Sequence, residues 1–307
     1  MWFDICYLLN MFNTLKYYKL WFIISGLILL FGIVSLSVYG LKLGIDFTGG
    51  TEIQLQFNNQ VDIGKVREAA TSQNIGHFQI QTTGENGLII KTPPIEKEQH
   101  DKLLEEIKKQ AGDFSEIHYD SIGPLIGSEL KKNAFLQLLF VSLGIIFYIG
   151  YAFRKVSKPV TSWRFGGAAI IALFHDLLFV LGVFSLLGHY KGVEIDSLFV
   201  TAMLTVLGFS VHDTIVVFDR IRENLRVYPG QGIEFVVNHS IAQTLVRSLN
   251  TSLTVLFVLF SLLLFGGETI RYFVLALFIG IIVGTYSSIF IASPVLVLWQ
   301  KWKTRQL

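Results

Sequence analysis

An ionisable side chain inside an apolar stretch is costly in lipid, so each one is a functional candidate. Two adjacent pairs meet that description: His175-Asp176 in one apolar run and His212-Asp213 in the next. Arg247 heads a third run and is followed at i+3, i+4 and i+7 by Asn250, Thr251 and Thr254, which a helix places on one face with it. Gln243 extends that face by one turn if the helix starts early. At about 100° per residue, His212 falls on a stripe with Ser197, Thr201, Thr205 and Gly208, while Asp213 falls with Ala202, Phe209 and Arg220. The preceding run repeats the split, with His175 near Gly182 and Ser185 and Asp176 near Ala169 and Ala172. The two members of each pair are therefore expected to point apart. The chemistry on offer is ion transfer by a carboxylate, Asp213 first and Asp176 second. The plainer readings are a static salt bridge for Asp213, packing roles for His175 and His212, and for Arg247 the basic bias of a helix end.

Other chemistries fall away. Each His-Asp pair offers one inward ligand at best, and no HExxH motif is present, so no metal site is expected. The chain also lacks a GxSxG elbow, a P-loop and a GxGxxG fingerprint, so neither an enzyme nor a cofactor is indicated. Gly49-Gly50 follows an Asp-Phe-Thr turn rather than opening a phosphate loop, and Gly280–Gly284 is a GxxxG spacing that favours close helix packing.

The elements that carry these residues follow from composition. Of 307 residues, 52% are hydrophobic and 16% charged, and the mean hydropathy is +0.54. Soluble domains average about 25% charged, so part of this chain is dissolved in lipid. The single cysteine, Cys6, excludes a disulfide-stapled scaffold, the apolar content excludes disorder, and a net charge of +2 without a basic stripe argues against nucleic-acid binding. A membrane helix needs about 20 apolar residues. Six runs qualify: 20–39, 134–153, 165–187, 197–218, 249–265 and 272–299. The first is too long for a signal-peptide core and lacks a clear cleavage site, so it reads as an uncleaved helix. Lys and Arg concentrate in the loops holding Arg154, Lys155, Lys158 and Arg164, then Arg220, Arg222, Arg226 and Arg247, and in the tail with Lys301, Lys303 and Arg305. The opposite short loops hold only Lys191 and Arg271, which places both termini in the cytoplasm. Trp299 and Trp302 beside Lys301 look like an interfacial anchor.

Between the first two helices lies a polar stretch. Alternation predicts a strand at 51–57, with Ile53, Leu55 and Phe57 on one face. A helix at 61–72, strands at 77–81 and 88–91 around a Gly84–Gly87 turn, a helix at 94–110 and a strand at 115–119 complete the order. That order, βαββαβ, is ferredoxin-like. The expected fold is an all-α six-helix transmembrane bundle with an inserted α+β domain outside the membrane. The divisions are 1–41 for the N-terminal segment and first helix, 42–132 for the extracytoplasmic domain, and 133–307 for helices two to six.

Several motifs resemble the SecD/SecF family of protein-export membrane proteins. They are the segment from Gly44 through Asp46 to Gly49-Gly50, the segment 121–130 with Gly123-Pro124, Ala172 to Asp176, Gly208 to Asn224, and Asn238 to Ser252. They occur in the family's order, fit its SecF side most closely, and cover nearly the whole chain from about Met11, an alternative start. His212 departs from the pattern, since many members have Asn there. The resemblance implies an RND-like bundle that pairs with SecD, assists the SecYEG channel with YajC as a further partner, and uses the proton or sodium motive force to help preproteins across the bacterial cytoplasmic membrane. It also implies that Asp213 carries the proton and Arg247 tunes it; the polar residues of the apolar runs add Asp176, His212, His175, Asn250, Thr251 and Thr254 as supporting candidates. Gly44, Asp46, Gly49, Gly50, Gly123 and Pro124 would form the junction between outer domain and membrane. The competing expectations are an RND-like exporter of lipids or small molecules, and a scaffold without ion coupling.

Overall fold

The computed structural model describes residues 14–84, 86–154 and 161–304. Cys6, Met11, Glu85, Lys155, Lys158 and Arg305 lie outside the described residues, as does the Lys303 side chain. The chain divides into two compact units, residues 43–136 and the remainder.

The smaller unit holds a short helix α2 (Ile45–Thr48), β1 (Gly50–Phe57), α3 (Ile63–Ser72), β2 (Gln79–Thr83), β3 (Gly87–Thr92), α4 (Lys97–Ala111) and β4 (Phe114–Ile122). The sheet is antiparallel in the order β2-β3-β1-β4, the ferredoxin-like arrangement. Alternation fixes the register: Ile53 pairs with Ile90 and Leu55 with Leu88, and all four are fully buried. Against them pack Val66, Ala69 and Ala70 of α3 and Leu103 and Ile107 of α4. Asp62 caps α3 by accepting from the Gly64 amide at 2.8 Å, and Glu96 with Gln99 forms a capping box on α4. On the exposed side of α4, Lys102 donates to Glu98 at 2.7 Å and holds that carboxyl below its usual range.

Two segments far apart in sequence meet at the start of this unit. Gly49 has φ of +74°, and a Cβ built on it would lie 2.9 Å from the Pro124 Cα. A Cβ on Gly127 would lie 2.8 Å from the Gly49 amide nitrogen. Only glycine fits both the backbone conformation and the contact. Thr51 Oγ1 and Ser121 Oγ, at 2.8 Å, join the same two segments.

The larger unit contains α1 (Tyr18–Tyr39), the rest of α5 (Pro124–Ala152), α6 (Ser162–Lys191), α7 (Ser197–Val227), α8 (Ile233–Phe265), α9 (Glu268–Ser287) and α10 (Ser293–Thr304). A single π-helical turn, Ser288–Ala292, joins α9 to α10. Among the described residues, six helices are long and apolar enough to cross a membrane. Helices α5, α7 and α8 all run past the apolar runs that announced them. Pro124 opens α5 at a position where a missing amide costs nothing. The added turns of α7 and α8 are polar, so hydropathy alone does not register them.

Close approach depends on small residues. A Cβ on Gly182 of α6 would lie 2.6 Å from Gly32 Cα of α1. On α9, a Cβ at Gly280 would collide with Val206, and one at Gly284 would sit 2.9 Å from Ser210 Cβ, so the GxxxG spacing seats α9 on α7. Phe153, Phe165 and Phe218 fill the space between α5, α6 and α7, with Phe153 and Phe165 stacked at 5.1 Å.

Candidate functional site

The two carboxylates read from the sequence occupy opposite environments. Asp176 on α6 is completely buried. His175 Nδ1 lies 3.0 Å from its Oδ1, while Ser210 Oγ of α7 and Ser287 Oγ of α9 donate to Oδ2 at 2.5 and 2.8 Å. The hub continues into the π turn. Ser288 Oγ lies 2.8 Å from Thr214 Oγ1, and Ser293 donates to the Ser288 carbonyl at 3.1 Å. The helical widening thus occurs where hydroxyls of α7 and α9 interleave with a buried carboxylate, the sort of place in which π turns recur. The expectation that His175 and Asp176 point apart is corrected here. Their Cβ directions do diverge, yet the imidazole bends back far enough to bond its neighbour's carboxylate.

Asp213 is also buried, at 5% exposure, but its Oδ2 has no hydrogen-bond partner. The groups acting on this carboxylate are Ser248 of α8 and its neighbour His212. The Ser248 hydroxyl is likewise buried and makes no hydrogen bond within 3.5 Å. An unsatisfied carboxyl oxygen in such surroundings costs free energy that a folded chain normally avoids. His212 is exposed, so this pair does split as the helical geometry predicts.

Around Asp213 the bundle presents a polar face. On α7, Ser197, Thr201, Thr205, Gly208 and His212 are all exposed. On α8, Gln243, Arg247, Asn250, Thr251 and Thr254 are exposed as one stripe. Thr251 and Thr254 turn their hydroxyls onto their own helix, bonding the Arg247 and Thr251 carbonyls at 3.0 and 2.8 Å. Among the described residues no ion pair joins Arg247 to Asp213. The guanidinium lies on the exposed face, one residue from the buried Ser248. The extra helix length places Arg247 well inside α8 rather than at its end.

Sequence reasoning passed over the hydroxyls that organise this region: Ser210, Thr214, Ser248, Ser287 and Ser288. One signal was present. Ser240, Thr244, Ser248 and Ser252 recur every fourth residue on α8, and all four are buried. Asn224 was also missed as a site residue. It is buried and donates to Ser240 Oγ and Gln243 Oε1, each at 2.8 Å.

Comparison with known proteins places this arrangement. The family model for the C-terminal region of the SecD/SecF protein export membrane proteins matches residues 102–302, and that for the SecD/SecF GG motif matches 34–61. The chain belongs to the SecD/SecF family. The protein translocase subunit SecF of Thermobaculum terrenum is 48% identical over 303 residues, covering 94% of each chain. That of Anaerolinea thermophila is 40% identical, covering 96% of each. Among solved structures, SecDF of Thermus thermophilus, a translocon-associated membrane protein, matches with a TM-score of 0.82 at 34% identity. A SecDF structure in a super-membrane-facing form matches at 0.70 and 33%. This chain spans 39% of each of those SecDF chains while 94% and 96% of it is matched. The GG-motif match contains the Gly49–Gly50 turn, and the larger match contains Asp176, Asp213 and Arg247.

Proposed function

We propose that this chain is a SecF-like translocase subunit in which Asp213 takes up and releases the coupling ion. The observation that carries this reading is the unpartnered Asp213 Oδ2, buried beside the polar face of α7 and α8. In this reading the face is completed by a second bundle of SecD type, and Arg247 tunes Asp213 from the shared boundary. The longer SecDF chains support such a pairing, since this chain accounts for 39% of their length. SecYEG, YajC and the unfolded preprotein are the further partners. The membrane is the bacterial cytoplasmic membrane, both termini are cytoplasmic, and residues 42–132 lie outside. There the Gly49–Pro124 contact, with Gly44, Asp46, Gly50 and Gly123 around it, forms the junction.

The energetics are adequate. One charge crossing the membrane potential is worth about 2.3 kcal/mol per 100 mV, which corresponds to about fiftyfold in an equilibrium. An ion held at Asp213 satisfies the open oxygen, and its departure restores the unsatisfied state, so the two states favour different packing of α7 against α8. Asp176 and His175 support this cycle by tying α6 to α7 and α9, and His212, Asn250, Thr251 and Thr254 support it by lining the polar face.

The test is Asp213→Asn in inverted vesicles that also contain a SecD partner and the SecYEG channel. Gradient-driven assistance to export is expected to vanish while insertion and SecD binding persist. Full assistance by the variant would remove Asp213 from the pathway.

A further inference from the structure

Helices α8 and α9 are joined where the hydroxyls of Ser252 and Thr285 bond at 2.6 Å, and beside that bond lies an apolar cavity of about 350 Å³. Leu245, Leu249, Leu253 and Leu256 of α8 form one wall, and Ile282 with Phe290 of the π turn forms the other. Trp21 of α1 packs on Phe290 at 4.4 Å and backs that wall. Ser252 and Thr285 spend their hydroxyls on each other, and the Tyr286 hydroxyl is engaged by Ser25 and the Trp21 carbonyl. Water needs two to four polar partners, whereas a dry cavity of about 150 Å³ already takes benzene. The cavity therefore suits an apolar guest.

Length and charge select that guest. From Leu245 to Leu256 the cavity follows α8 for about 16 Å at the helical rise. Half the hydrocarbon thickness of a bilayer is about 15 Å, so the cavity is one leaflet deep, the reach of a single acyl chain. Thr14 lines the cavity, and its amide donates to Asn238 at 3.1 Å, about two turns before Leu245, which sets Thr14 at the Leu245 end. Lys16 and Lys19 follow Thr14 and are both exposed. Glu234, the acid in the first turn of α8, is already paired with Lys301. The Leu245 end is therefore basic, and basic residues at a membrane surface attract anionic headgroups. A two-residue step turns a helix by about 200°, so Arg247 faces away from Leu245 and Leu249. A bundle seated on the polar face of α8 thus leaves the cavity open.

We propose that this cavity binds one anionic phospholipid, with an acyl chain between α8 and α9 and the phosphate against Lys16 and Lys19. The chain sets the spacing of α8 from α9, and with it the position of Ser248 beside Asp213. That use in coupling rests on the ion-pathway reading, whereas the binding does not.

The experiment is native mass spectrometry of the full chain in detergent, titrated in parallel with phosphatidylglycerol and phosphatidylcholine of the same acyl chains. One phosphatidylglycerol is expected to bind about tenfold or more tightly than phosphatidylcholine, since each lysine near the phosphate is worth about fivefold. Lys16→Gln combined with Lys19→Gln should bring the two lipids to the same affinity. Leu253→Trp fills the cavity and should remove the tight adduct. Leu249→Phe adds less volume, is the safer variant for folding, and should weaken the adduct. Phe140→Trp, on the exposed side of α5, should leave it unchanged. Equal affinity of the wild type for both lipids overturns the proposal. So does a tight adduct that survives both cavity variants, or a ladder of equivalent adducts that marks lipid held at the general surface only. A dimer that excludes the lipid assigns the cavity to a second copy and overturns it too. Asp213→Asn should bind phosphatidylglycerol as the wild type does. Full export activity of Asp213→Asn would defeat the ion-pathway reading and leave the lipid site standing.

Discussion

Asp176 and Asp213 are the same side chain buried twice in one helical bundle. Asp176 has donors from three helices on its two oxygens. Asp213 keeps one oxygen without a partner, beside a serine in the same condition. Burial alone therefore does not make the two carboxylates alike. The distinction lies in whether the surroundings have already spent their donors on it. A saturated carboxylate gains little from a proton or cation, because either must displace bonds already made. An unsatisfied one gains a partner, and the gain can be exchanged for motion.

The comparison breaks first at Asp213. Asp213→Asn should abolish gradient-driven export assistance, a loss of about fiftyfold per 100 mV for one charge, while the thermal unfolding midpoint in detergent is unchanged or raised. A lowered midpoint would mean that Asp213 is structural after all. Asp176→Ala should do the reverse in stability. It strands the Ser210 hydroxyl and leaves Ser287 only its Gly284 carbonyl, at an expected cost of about 1–3 kcal/mol, readable as a lower midpoint, whereas Asp176→Asn should retain most of it. Equal midpoints for wild type and Asp176→Ala would erase the contrast.

Gly284→Val sharpens the comparison from the packing side. Its Cβ would meet Ser210 and push α9 from α7, with an expected loss of about 1–3 kcal/mol. Double substitution with Asp176→Ala should cost less than the sum, since both act through Ser210; strict additivity would separate hub from interface. Arg247→Ala should reduce coupling with little effect on the midpoint, because its side chain is exposed and unbonded to Asp213, and Arg247→Lys should recover part of the activity. The smallest effect belongs to Lys102→Ala in the outer unit. Lys102 holds the Glu98 carboxyl low, so any stabilisation is present at neutral pH and fades as acid protonates Glu98. The pair is fully exposed and screened by solvent, and no change in midpoint is expected at any pH.

Much of the fold was legible because its signals are local. The strand at β1 announces itself by alternation, since Ile53, Leu55 and Phe57 must share a face. The six spans announce themselves by apolar length. The polar ends of α7 and α8 were harder to see, and with them went Asn224 and the position of Arg247 within its helix. These turns are held by cross-helix bonds such as Asn224 to Ser240 rather than by hydropathy. The junction was legible as two glycine-rich motifs, but not as one contact between Gly49 and Pro124.

By itself the sequence determined which carboxylates enter the membrane, and that Asp213 and His212 must face different ways, because helical periodicity is a property of consecutive residues. The tertiary structure decided which carboxylate is satisfied. The donors to Asp176 come from Ser210 and Ser287, which lie 34 and 111 residues away. Their arrival depends on the glycines of α9 that let it close on α7. Hydrogen bonds reach only about 3 Å, so a carboxylate's role is set by whichever distant helix packing brings within that range.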